Sequence, residues 1–197
     1  MRYDRQVIGY HACERAVADR LLGGDAFRPS QNEWDWLGAG VYFWEFGHQR
    51  AYDWAQQWPR LKGKESAIVG GVLQLGNCLD LLDTDHTRRL AQFANGLVER
   101  GAAVPANVGT IRRGDCFLVN RYCESCAEQG APFDTVRGLF QEGDPLIAGS
   151  EIRLENHIQV VVRRPPAIVG LFRPRGFTAW GAPVAPEHDV GQAESNG

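Results

Sequence analysis

His11, Tyr42 and Gln159 each place a hydrogen-bonding side chain inside, or at the end of, an apolar β-prone run: "QVIGYHAC", "GAGVYF" and "HIQVVV". An imidazole can hold a hydroxyl or move a proton near neutral pH, a phenol offers a flat ring with a polar tip, and a carboxamide accepts a hydrogen bond without supplying charge. Taken singly, packing explains all three, as a strand-end histidine, a core tyrosine and a solvent-side glutamine. Gly38 and Gly40 stand just before the rings of Tyr42, Phe43 and Trp44, where bare backbone can bend close to a neighbour.

Other candidate chemistry is thinner. Cys13 lies two positions past His11, a poor pairing for a thiol nucleophile and its base. Cys123 and Cys126 form a CxxC, but no second pair follows, and Cys116 and His157 could complete a four-ligand zinc set only through a distant contact, so no metal is expected. "LGGDAF" and "VGGVLQLG" lack the lysine of a phosphate loop. Arg112 with Arg113, and Arg163, Arg164, Arg173 and Arg175, form two local basic groups whose plain reading is solvated strand ends. Glu45, Glu142, Glu151 and Glu155 read as surface carboxylates, and Ser30 and Asn32 as loop polarity.

The elements that must position these residues follow from periodicity. A short strand ends at His11, and a helix over 14–22 stops at Gly23-Gly24. The run containing Tyr42 is a strand. In the helix that follows, Ala51, Trp54, Ala55 and Trp58 share one face before Pro59 ends it. Residues 66–76 read as a buried strand weakened by Gly70-Gly71. Asp83 or Thr84 caps a helix with Leu90, Phe93, Ala94 and Leu97 as its apolar stripe, and a further helix covers 115–128. "DTVRGLF", "NHIQVVVRR" and "AIVGLFRP" read as three closing strands. Sheet-rich ends around a helical middle predict an α+β fold.

The chain has 197 residues, which suits one domain; residues 1–182 are expected to form it and 183–197 to be a disordered tail. The amino terminus has no apolar block of the secretory kind, and five irregularly spaced cysteines do not suggest a disulfide framework, so a cytoplasmic, membrane-free protein is expected. The net charge of −3 gives no bulk attraction to nucleic acid.

In this order, "GYHAC", "GAGVYF", a helix containing "AYDWA" and a late strand with a polar residue resemble the ADP-ribosyltransferase superfamily. The closest likeness is to its poly(ADP-ribose) polymerase-like and diphtheria-toxin-like branch, marked by a His, Tyr, Glu triad. Gly38-Ala39-Gly40-Val41-Tyr42-Phe43 fits that branch's Gly-x-Gly-aliphatic-Tyr-Phe pattern position for position. The likeness runs from His11 to about Phe172 and is motif-level in its first half only. Gln159 falls where glutamate is usual.

The resemblance implies a split β-sheet core flanked by helices, and NAD as substrate. His11 would donate to the adenosine-side ribose, Tyr42 would stack on nicotinamide with Tyr52 closing the other face, and Ala12, Ser30 and Gly40 would complete the NAD contacts. Gln159 would hold a ribose hydroxyl; a neutral amide there favours single ADP-ribose transfer over chain building, with hydrolysis of NAD as a variant outcome. Were a carboxylate needed, Glu45, Glu142, Glu151 or Glu155 would supply it. The implied activity is mono-ADP-ribosylation of an unidentified acceptor, chosen by the segment 82–121. A stand-alone transferase of this size suits a bacterial toxin, effector or phage-defence enzyme, the first of which brings an antitoxin as partner. Two alternatives stay open: an inactive NAD- or ADP-ribose-binding module, and an RNA 2′-phosphotransferase-like enzyme gripping phosphate with Arg137 or Arg163 and Arg164.

Overall fold

The computed structural model describes residues 2–58 and 61–175. Its elements, in chain order, are β1 (Arg2–Glu14), α1 (Arg15–Leu22), β2 (Val41–Glu45), α2 (His48–Gln57), β3 (Ser66–Asp80), α3 (Thr84–Glu99), α4 (Arg113–Glu128), β4 (Thr135–Phe140), β5 (His157–Val162) and β6 (Ile168–Phe172). Among the described residues the fold is α+β: one six-stranded mixed sheet with four helices.

α1 ends and α3 begins where the sequence offers a cap, and each presents an apolar face. Gly23 closes α1 by returning its N–H to the carbonyls of Asp19 and Arg20, with Ala18 and Leu21 buried beneath. Asp83 caps α3 by accepting the N–H of Asp85 at 2.8 Å. On α2, Ala51 and Ala55 are small enough to bring the helix down onto the sheet, while the rings of Trp54 and Trp58 stack at 4.6 Å. Pro59, the expected stop for α2, and the expected tail at 183–197 lie outside the described residues.

The strands run in the order β1-β2-β5-β4-β3-β6, with a further β1–β3 pairing that closes the first five into a ring. β3 can serve both sides of that ring because it is long. Ser66–Asn77 lies against β1, Gly70–Leu73 against β6, and Cys78–Asp80 runs parallel to β4. The strand passes from one set of partners to the other at Gly76, whose φ of +60° suits glycine and where a Cβ would lie 2.4 Å from the Asp134 carboxylate. Both β1 and β3 are longer than their apolar runs predict.

Four packed clusters follow from the alternation of strand side chains. Val7, Val41, Phe43, Leu73, Leu75, Val160 and Val162 fill the inside of the ring. On the outside, α2 covers Ala12, Trp44 and Ile68; α4 covers Leu79, Val136 and Val161 with Val119 and Cys123. The helix α1 covers Cys13, Ala67 and Val69.

Candidate functional site

β1 and β2 are paired at only two positions, Gly9 with Glu45 and Tyr10 with Trp44. One residue further on, His11 spans the opening with its side chain, Nδ1 lying 2.9 Å from the carbonyl oxygen of Tyr42. A carbonyl only accepts, so Nδ1 carries the ring proton and, in the neutral ring, Nε2 offers a lone pair. Burial holds the imidazole below its ordinary pKa, partly opposed by that backbone bond, so the ring is neutral at pH 7. Phe27 and Phe43 pack on it, with ring centroids at 5.0 and 5.7 Å. The resemblance has His11 donating to a ribose; with Nδ1 committed to Tyr42, the other ring nitrogen of this tautomer accepts rather than donates.

Tyr42 turns to the other face of β2. Its hydroxyl donates to the Gly38 carbonyl at 2.8 Å and accepts the Leu37 N–H at 3.2 Å, and burial holds it protonated well above its ordinary pKa. The Gly38–Gly40 turn is therefore clamped to the strand it introduces. Gly40 (φ +153°) also pairs with Ser30 in an isolated antiparallel bridge, with N–H···O bonds of 2.8 and 3.0 Å. A Cβ at Gly40 would sit 2.4 Å from Val161 Cγ1 and 2.6 Å from the Val162 carbonyl oxygen, so β5 approaches bare backbone there. The Ser30 hydroxyl donates to Asp35 at 2.5 Å and accepts from Asn32 at 2.8 Å, which orders the loop between α1 and β2.

Gln159 pairs across β5 with Trp44 and so shares Tyr42's face. Its Oε1 accepts the Trp36 indole N–H at 2.8 Å, and its Nε2 lies 3.1 Å from His157 Nε2. Trp36 is in the same short loop as Leu37 and Gly38, so one turn grips both Tyr42 and Gln159. The three family-like positions are thus brought into one region but onto two faces: His11 with Phe27 and Phe43 inside the ring, Tyr42 and Gln159 outside. Sequence reading missed Trp36, whose only local signal is an aromatic just before the glycines. The sequence marks His157 only as a distant metal ligand, although it shares Gln159's face by strand alternation.

The remaining expected site residues fall as follows. Ala12 is buried under α2, and Tyr52 packs into the same cluster, whereas Tyr42 packs with Leu37, Leu79 and Val119; the two tyrosines do not share a slot. Glu45 is not a surface carboxylate: it is buried and accepts two bonds from Arg137, at 2.6 and 3.0 Å. Arg137 also holds Asp80 at 3.1 Å. This arginine, proposed to grip phosphate, is thereby consumed inside the fold, because a buried guanidinium needs its carboxylates to offset desolvation. Glu142 and Glu155 converge on Arg50, at 2.5 and 3.1 Å, while Glu151 is exposed on the loop between β4 and β5.

Burial pushes the thiols of Cys13 and Cys78 up to about 12 and that of Cys123 to about 11, so none is a thiolate nucleophile at neutral pH. No group of metal-ligating side chains occurs among the described residues. Of the arginines flagged as basic groups, Arg113, Arg164 and Arg173 are paired with Glu33, Asp134 and Asp19.

Beside the opening lies a cavity of about 500 Å³ lined by Leu21, Phe27, Val41, Val162, Arg163 and Ile168, among others. Phe27 is shared: one side of its ring environment is His11, and it also borders the cavity. Arg163 brings a cation to this largely apolar lining, its Nη1 held by Asn120 at 3.0 Å and by the Ala39 carbonyl at 3.1 Å. No helix among the described residues is long and apolar enough to cross a membrane. No family model, curated protein or solved structure matches the chain.

Proposed function

We propose that the chain is an NAD-dependent mono-ADP-ribosyltransferase that binds NAD at the opening between β1 and β2. The observation that carries this reading is the break in strand pairing bridged by neutral His11 next to the clamped Gly38–Gly40 turn with its Ser30 bridge; a cavity of about 500 Å³ adjoins it through Phe27, which packs on His11, and Val41. The family-like residue order adds to it. In the reaction, the bond between nicotinamide nitrogen and ribose C1′ breaks with its electron pair going to the nitrogen. Neutral nicotinamide leaves, and the oxocarbenium-like sugar is taken by an acceptor nucleophile that gives up its proton. Nε2 of His11 accepts a ribose hydroxyl. Gln159 Oε1, already accepting from Trp36, keeps a second lone pair on the opposite face from His11, where it would serve only a hydroxyl that reaches through the opening. With no negative charge at this position, transition-state stabilisation is modest, which favours one transfer per acceptor.

One observation favours a second reading, an inactive NAD- or ADP-ribose-binding module: Gln159 and the Tyr42 hydroxyl are both engaged by protein partners. The 2′-phosphotransferase reading loses Arg137 to its buried carboxylates. Incubating the purified protein with NAD and cell lysate separates these readings. A transferase releases nicotinamide faster with lysate and leaves acceptors heavier by one ADP-ribose. NAD binding without release favours the module, and absence of NAD binding removes both.

A further inference from the structure

We propose that His157 is a positioning residue that fixes which end of the Gln159 carboxamide faces Trp36. The use made of that orientation rests on the NAD-transferase reading; the orientation itself rests on bond directions alone. His157 Nδ1 lies 2.7 Å from the Glu155 carbonyl oxygen, which only accepts, so Nδ1 bears the proton. Nε2 of the neutral ring is then an acceptor, and the Gln159 group 3.1 Å away must be its N–H donor. The amide oxygen is left at the other end, where the Trp36 indole N–H meets it at 2.8 Å. Turning the amide over would set N–H against N–H at Trp36 and oxygen against a lone pair at His157. Both contacts fail together, so the chain from Glu155 to Trp36 has one satisfied state.

The same chain makes the orientation sensitive to acid. A second proton on His157 would turn Nε2 into a donor facing the Gln159 amide group, and no placement of the amide then satisfies both His157 and Trp36. The surroundings oppose that proton. His157 is buried with Phe140 of β4 at 5.4 Å and Trp44 of β2 at 6.4 Å between ring centroids. The charged groups around it are Arg50 of α2, which disfavours a cation, and Glu142 and Glu155, which favour one but are themselves paired with Arg50. Burial is the largest influence, and the ring titrates below 6.5.

The test combines nitrogen-15 NMR of the imidazoles in the full chain with the pH dependence of nicotinamide release. The expected spectrum shows His157 protonated on Nδ1 alone at neutral pH, with a midpoint below 6.5. His157→Phe should lower kcat roughly 10- to 100-fold, as a misaligned group does, and remove the His157-dependent acid limb, with KM for NAD within about twofold. His157→Asn should recover most of the rate, because its carbonyl accepts the Gln159 N–H at every pH. A purely packing role predicts the opposite order, since a ring suits this aromatic pocket better than a buried amide. An Nε2–H tautomer, a charged ring at neutral pH, or an active His157→Phe enzyme with wild-type kcat would overturn the proposal. If no form of the protein releases nicotinamide, the transferase reading falls, while the wild-type tautomer still decides the positioning of Gln159.

Discussion

The side chain of His11 donates to the backbone carbonyl of Tyr42 at 2.9 Å, at the point where β1 and β2 cease to pair. A side chain thereby takes the place of a ladder bond, and the strands part without leaving that carbonyl unsatisfied. The opening is thus a built feature of the sheet, held at both ends. Tyr10 and Trp44 close one end, and the Ser30–Gly40 bridge orders the other.

Gly40→Ala tests whether that second end is as tightly specified as its contacts imply. A methyl group 2.4 Å from Val161 and 2.6 Å from the Val162 carbonyl, at a φ of +153°, has no unstrained solution. The expected cost is about 1–3 kcal/mol from backbone strain alone, read as a lower urea midpoint, together with loss of NAD binding. A variant as stable as wild type would show that β5 can give way.

Replacing Arg137 with Ala should destabilise the protein by about 3–5 kcal/mol, because Glu45 and Asp80 would be left buried without their shared cation. Chemical denaturation measures it. A loss below about 1 kcal/mol would mean that water reaches the cluster.

Much of this was legible in the chain, and the illegible part has a physical reason. The helix capped by Asp83, the helix stopped by Gly23, and the closing strands follow from local spacing, and each is found. The buried cluster is different: Arg137 is 57 residues from Asp80 and 92 from Glu45, so nothing local marks it. Arg137 reads as a free cation in "DTVRGLF" because its partners arrive only when β4 lies beside β3 and β2 reaches β5. The contact of Trp36 with Gln159 spans 123 positions and is hidden in the same way. Gly70-Gly71 suggested a weak strand, but β1 and β6 flank that stretch on both sides and carry it through.

His48, at the first turn of α2, is buried against Tyr10, and burial lowers its pKa from 6.5 to about 4. An unfolded chain therefore takes up this proton at a higher pH than the folded one. Stability is fully present above pH 6.5 and declines as pH falls toward about 4, by up to about 3 kcal/mol from this group. Urea midpoints should drop through that window in wild type and drop less in His48→Gln. An unchanged slope in the variant would assign the loss to other groups.

Native Cys13, Cys78 and Cys123 should resist iodoacetamide at neutral pH and react only after unfolding, as burial holds all three as thiols. Mass spectrometry of labelled peptides checks this. Rapid labelling of native Cys13 would revive a thiol nucleophile beside His11.

The most direct test of the central claim is the rate of nicotinamide release from NAD by the purified protein, compared with His11→Ala. The account predicts release by wild type and a fall of roughly 100-fold or more in the variant, since on the proposed reading the imidazole that bridges the opening would also hold the sugar. Equal rates in the two proteins would contradict it.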